Sequence, residues 1–145
     1  MSANLYDKDF YAWANEQAGL LRAGKLTQAD IEHIAEEIES MGKSEKRELV
    51  SRLTILLLHL LKWQHQPLRR GPSWRLSVVT TRDALTDHLA DNPSLRATLD
   101  ASLSTAYRRA RRDAALETGF PESTFPAECP WAFDQMMAED FWPEA

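Results

Sequence analysis

Leu49-Val50-Ser51-Arg52-Leu53-Thr54-Ile55-Leu56-Leu57-Leu58-His59-Leu60-Leu61-Lys62-Trp63 decides the fold. Leu49, Leu53, Leu56, Leu60 and Trp63 recur at the three-to-four spacing of one helix face, and Leu57, Leu58 and Leu61 widen that face until little polar surface is left. A helix apolar nearly all round needs neighbours on several sides, so this one is expected at the centre of a helical domain. Ser44 offers a cap at its start and Pro67 closes it, giving a rod of ~30 Å from Ser44 to about His65. The run Ile55 to Leu61 is its longest apolar stretch and already contains His59, far below the ~20 residues of a membrane span.

Upstream, Asp7 can cap a first helix whose Phe10, Trp13, Gln17, Leu20 and Leu21 share a face, with Gly24 at its end. Thr27 and Asp30 open a second helix. Its stripe Ile31, Ile34, Ile38 and Met41 is read as facing the core, with His33, Glu36, Glu37 and Ser40 opposite and Gly42 as the stop. Downstream, Pro67 to Pro72 is the strongest break. Ser73 then starts a helix carrying Trp74, Val78, Leu85 and Leu89, and Asn92-Pro93 starts another that runs to Thr118 before Gly119. Beyond Gly119 come Pro121, Pro126, Pro130 and Pro143 among six aromatic residues, a tail that polar disorder would not contain, with a short helix from about Pro130 to Glu139. The expectation is an all-α single domain over 1–145. About five helices surround the apolar helix, and the tail 119–145 packs on them.

At 145 residues the chain can bury roughly 70% of its unfolded surface without metal or disulfide help. Cys129 is the single cysteine, which excludes a disulfide framework and fits a reducing compartment. No basic and apolar leader precedes Asp7, so a soluble cytoplasmic protein without membrane contact is expected. A net charge of -5 argues against a general nucleic-acid binder, although local basic clusters exist.

Six stretches carry a family likeness: Asp9-Phe10-Tyr11-Ala12-Trp13, Glu36-Glu37-Ile38-Glu39-Ser40-Met41-Gly42, His59-Leu60-Leu61-Lys62-Trp63-Gln64, Ser73-Trp74-Arg75, Glu117-Thr118-Gly119 and Phe125-Pro126-Ala127-Glu128-Cys129-Pro130. In order and spacing they resemble the bacterial family called domain of unknown function 29, from about Tyr6 to Phe141. The resemblance implies an all-helical domain and carries no activity, cofactor or catalytic residue.

Four groups of residues invite chemistry. Asp30, His33 and Glu37 share a helix face at i, i+3 and i+7, a spacing that inward-facing metal sites of bundles use, but the isoleucine stripe points that face to solvent. His59 sits within the most apolar helix and needs a hydrogen-bond partner. The reading preferred is a neutral histidine on a backbone carbonyl or carboxylate, the alternative a ligand or proton-transfer group at an interhelical pocket. Cys129 precedes the expected helix start at Pro130, where a thiol can be acidified and made reactive, against a plain structural cysteine. Lys62, Arg69, Arg70 and Arg75 surround the central break beside Trp63 and Trp74, and Arg108 and Arg112 align on the last long helix. These could hold phosphates or nucleic acid, or pair internally with acids.

Glycine-rich phosphate loops and nucleophile elbows are absent, so no cofactor is expected and catalysis is disfavoured. The function expected is a non-catalytic protein-interaction module, with a protein partner or a second copy of itself. Nucleic-acid or anion binding through the arginine clusters, and a ligand- or metal-dependent enzyme built on His59, are the alternatives.

Overall fold

The computed structural model of the chain describes residues 2–144. Among these are six α-helices and no strand: α1 Ser2–Lys8, α2 Phe10–Arg22, α3 Ile31–His65, α4 Pro72–Asp91, α5 Leu99–Thr118 and α6 Phe133–Met137. The all-α expectation is met. No helix among the described residues is long and apolar enough to cross a membrane. The chain forms two compact units, one through Ser44 and one from Glu45 onward, and α3 contributes its first turns to one and the rest to the other.

Several boundaries differ from the sequence reading. The first helix is two, divided at Asp9, whose φ of -150° leaves the helical region and whose carboxylate accepts the Ala12 N–H at 3.1 Å. Asp9, not Asp7, is therefore the cap. Residues Leu26–Gln28 make a 3-10 turn, and Asp30, not Thr27, caps α3 by accepting the His33 N–H at 3.4 Å. The largest difference is at Gly42. The helix expected to stop there continues through Gly42 and Ser44 as one element of 35 residues. Gly42 lacks the left-handed φ that Gly24 (73°) and Gly119 (77°) adopt, and with no proline nearby a lone glycine costs the helix only about 1 kcal/mol. Pro93–Thr98 form a 3-10 segment, so α5 begins at Leu99 rather than at Pro93. The tail helix is shorter than expected, beginning at Phe133.

In the second unit the apolar part of α3 lies where its composition puts it. Leu49, Leu53, Leu56, Leu57, Leu60 and Leu61 have no exposed surface, and Val78, Leu85 and Leu89 of α4 with Ala106, Ala110 and Ala114 of α5 share their core. The alanine row on α5 removes side-chain bulk along its inner face. The tail closes this core with Phe125, Trp131 and Met136, all buried.

The first unit overturns an expectation. The stripe of α3 read as its core face is largely open: Ile31 is 53% exposed, Ile38 59% and Met41 63%, with Ile34 half-buried. The polar side is the packed one. Tyr6 of α1 stacks on His33 with ring centroids 3.9 Å apart and planes 15° from parallel, and Trp13 of α2 meets Tyr6 edge-on at 4.7 Å. Aromatic faces and hydrogen bonds to Asp30 outweigh the isoleucine stripe as the docking face of this segment.

Candidate functional site

The basic cluster at the central break is tied into its own unit. Lys62 pairs with Glu117 at 2.9 Å and lies 4.8 Å from the centre of the Trp74 ring. Arg70 donates to the Trp63 carbonyl at 2.6 Å and to the Pro143 carbonyl at 3.3 Å, and stands 3.8 Å from Glu144. Arg75 is exposed and lies over the Trp63 and Trp142 rings at 5.2 and 4.6 Å. These arginines and tryptophans sew the tail onto α3 and α4 through charge-assisted bonds and cation–π contacts. Arg69 is exposed, beyond this lattice.

The residue at the centre of that lattice escaped the sequence reading. Arg82 of α4 is 5% exposed. Its Nε donates to the Met136 carbonyl at 2.8 Å, one Nη to the Phe141 carbonyl at 2.7 Å, and its plane lies 5.2 Å from the Trp142 ring. Burial lowers its pKa, opposed by Asp140 and Glu139, while the other Nη has no hydrogen-bond partner.

Arg108 and Arg112 do not act together. Arg112 binds its neighbour Asp113 at 2.9 Å. Arg108 is exposed at the edge of a cleft of about 370 Å³ between α5 and the tail, where Arg111 donates to the Phe125 carbonyl and faces Glu122. Cys129 lines the same cleft. It does not stand at a helix start, since α6 begins four residues later, and its thiol donates to the Trp131 carbonyl at 3.3 Å. Burial pushes that thiol's pKa up, the opposite of acidification. His59 is half-buried, with Nδ1 bonded to the Ile55 carbonyl at 2.9 Å, one turn back on its own helix.

Asp30, His33 and Glu37 do not converge as a ligand set. Asp30 Oδ2 takes the His33 ring at 2.7 Å and the Trp13 indole N–H at 3.1 Å, and the Asp30 N–H is donated to the Gln17 side chain at 2.7 Å. Glu37 instead accepts from the Tyr6 hydroxyl, a bond that pushes the phenol up to about 12. The Asp30 bond raises the His33 pKa and lowers that of Asp30.

Glu45, Glu48 and His88 do converge, within the second unit. One ligand atom from each lies within 4.8 Å of the others. The two glutamates sit at i, i+3 on α3, and His88 comes from the last turns of α4, 6% exposed. Its Nε2 donates to the Glu45 carbonyl at 2.9 Å, and its Nδ1 stands 3.1 Å from Glu48 Oε2 and 3.6 Å from Glu45 Oε2.

A model of the family described as domain of unknown function DUF29 matches residues 5–142. The chain belongs to the DUF29 family. No curated protein and no solved structure matches it.

In this DUF29 chain the arginines singled out from sequence bind mainly the protein itself, while Arg82 and His88 carried no signal. Arg82 lies in a β-branched stretch with no neighbouring basic residue, and nothing local reveals that tail carbonyls meet it. His88 is 40 residues from Glu48, and only the packing of α4 on α3 brings them together.

Proposed function

We propose that this DUF29 domain is a non-catalytic interaction module that associates with a second copy of itself through the open stripe of α3. One observation carries the proposal: Ile31, Ile38 and Met41 are more than half exposed on a well-formed helix whose opposite face is packed. With Ile34 they recur at i, i+3, i+7 and i+10, the seam spacing by which helices of two chains interlock. Ala35 and Gly42 flank the seam and let a second backbone come close. A stripe that is its own complement suits a two-fold contact, in which the same residues serve both copies. Against anion binding stands the engagement of Lys62, Arg70 and Arg112 with carboxylates or carbonyls.

The test is sedimentation equilibrium of the wild type and of Ile38→Gln. Complete burial of an isoleucine contributes about 1.5–3 kcal/mol. Scaled to the 59% of Ile38 now open, this is about 0.9–1.8 kcal/mol per copy, so two copies weaken dimerisation roughly 20- to 350-fold. A wild type that stays monomeric at the highest attainable concentration, or a dimer indifferent to Ile38→Gln, removes the proposal.

A further inference from the structure

The geometry of His88 points beyond self-association. A carbonyl oxygen can only accept, so the Nε2 bonded to the Glu45 carbonyl must carry a proton. In the neutral ring this leaves Nδ1 as a bare lone pair. That lone pair belongs to a ring 6% exposed, and it stands against two carboxylate oxygens at 3.1 and 3.6 Å. Two carboxylates beside a buried ring nitrogen call for positive charge, which the Arg52 guanidinium supplies at Glu48 from the exposed side. Nδ1 lies within ion-pair distance of both carboxylates, so the three groups face one common point.

The spacing fits a metal ion. Zinc bonds of ~2.0–2.1 Å at tetrahedral angles separate neighbouring ligand atoms by about 3.3–3.4 Å. The two Nδ1–oxygen distances, 3.1 and 3.6 Å, bracket that edge length. The Nε2–H bond to a backbone carbonyl is also the outer contact that metal-bound histidines make, fixing the tautomer that leaves Nδ1 free to bind. Asn92 Nδ2 lies 3.4 Å from Glu45 Oε2, and Arg52 donates to Glu48 Oε2 at 3.0 Å. Arg52 is the competing cation; its side chain is 37% exposed, with room to reach the other Glu48 oxygen or water.

We propose that Glu45, Glu48 and His88 form a binding site for a divalent transition-metal ion of the zinc type. Imidazole nitrogen with two carboxylates suits zinc above the harder magnesium or calcium, which prefer all-oxygen shells. The two carboxylates are about half exposed, so water reaches the fourth position. The ion fastens α3 to α4 within the second unit.

The experiment is calorimetric titration of untagged, chelator-stripped full-length protein with zinc chloride, beside Glu48→Gln and the double variant Glu45→Gln/Glu48→Gln. Both glutamates are exposed, so these amides keep the fold, which circular dichroism verifies. One equivalent of zinc is expected to bind the wild type, at least tenfold more weakly in Glu48→Gln, with no measurable uptake in the double variant. Cobalt is expected to give the intense visible bands of a four-coordinate ion in the wild type alone. Failure of the wild type to bind zinc, or undiminished binding in the double variant, overturns the proposal. Because it concerns residues apart from Ile31, Ile38 and Met41, its outcome is independent of the oligomeric state.

Discussion

Replacing Gly42 by alanine should stabilise the protein, and the sign of that change tests the continuity of α3. Gly42 is exposed in the interior of the helix, its φ is not positive, and a Cβ built there meets nothing within 4 Å. Packing therefore contributes nothing to the change. What remains is the propensity difference, about 0.8–1.0 kcal/mol in favour of alanine, which reflects the backbone freedom that glycine loses on folding. For a cooperative chain near 150 residues this raises Tm by roughly 2–4 °C. The assay is thermal and urea unfolding followed by circular dichroism, in protein dilute enough to exclude self-association. Gly119→Ala is the internal contrast: a φ of 77° puts alanine in the left-handed region and should cost roughly 1–2 kcal/mol. If Gly42→Ala instead falls in stability as Gly119→Ala does, Gly42 is a helix terminator in solution and the continuous α3 is refuted.

Arg82→Met should destabilise the second unit by about 3 kcal/mol in urea titrations, because the Met136 and Phe141 carbonyls lose charged donors and the methionine supplies none. Arg82→Lys should recover only part of this, since an ammonium lacks the planar fork that reaches two carbonyls and lies against Trp142. In the first unit, Asp30→Asn should move the NMR titration midpoint of His33 down, as the bond that raises it is lost. The linked stability follows the same sign. The contribution of a raised His33 is full below about pH 6.5 and fades as pH rises through the folded-state value, whereas that of a lowered Asp30 is full above about pH 4 and fades under acid. An unmoved His33 midpoint in Asp30→Asn would contradict the 2.7 Å bond.

The second unit was readable because its signals are redundant. Leu49 to Trp63 repeats one message at eight positions, and Gly119 ends α5 with the left-handed cap its residue type invites. The first unit misled for a physical reason. Hydrophobic period reports which face is greasy, not which face finds a partner, and the rings of Tyr6 and Trp13 came to rest on the polar side of α3, where Glu37 and Asp30 accept their hydrogen bonds and His33 stacks on Tyr6. At Gly42 a weak local preference was read as punctuation, although one unfavourable residue cannot end a helix supported on both sides. The Glu45, Glu48 and His88 group was beyond reach from sequence, since its closeness is a product of helix packing and not of spacing.

The hold of Arg82 on the Met136 and Phe141 carbonyls has a consequence for a chain made from its N-terminus. While the ribosome still conceals residues 136–143, the guanidinium has no carbonyl to meet, and a core closed around it would entomb an unanswered cation. The second unit is thus expected to close fully only once the tail that carries the Met136 and Phe141 carbonyls has joined it.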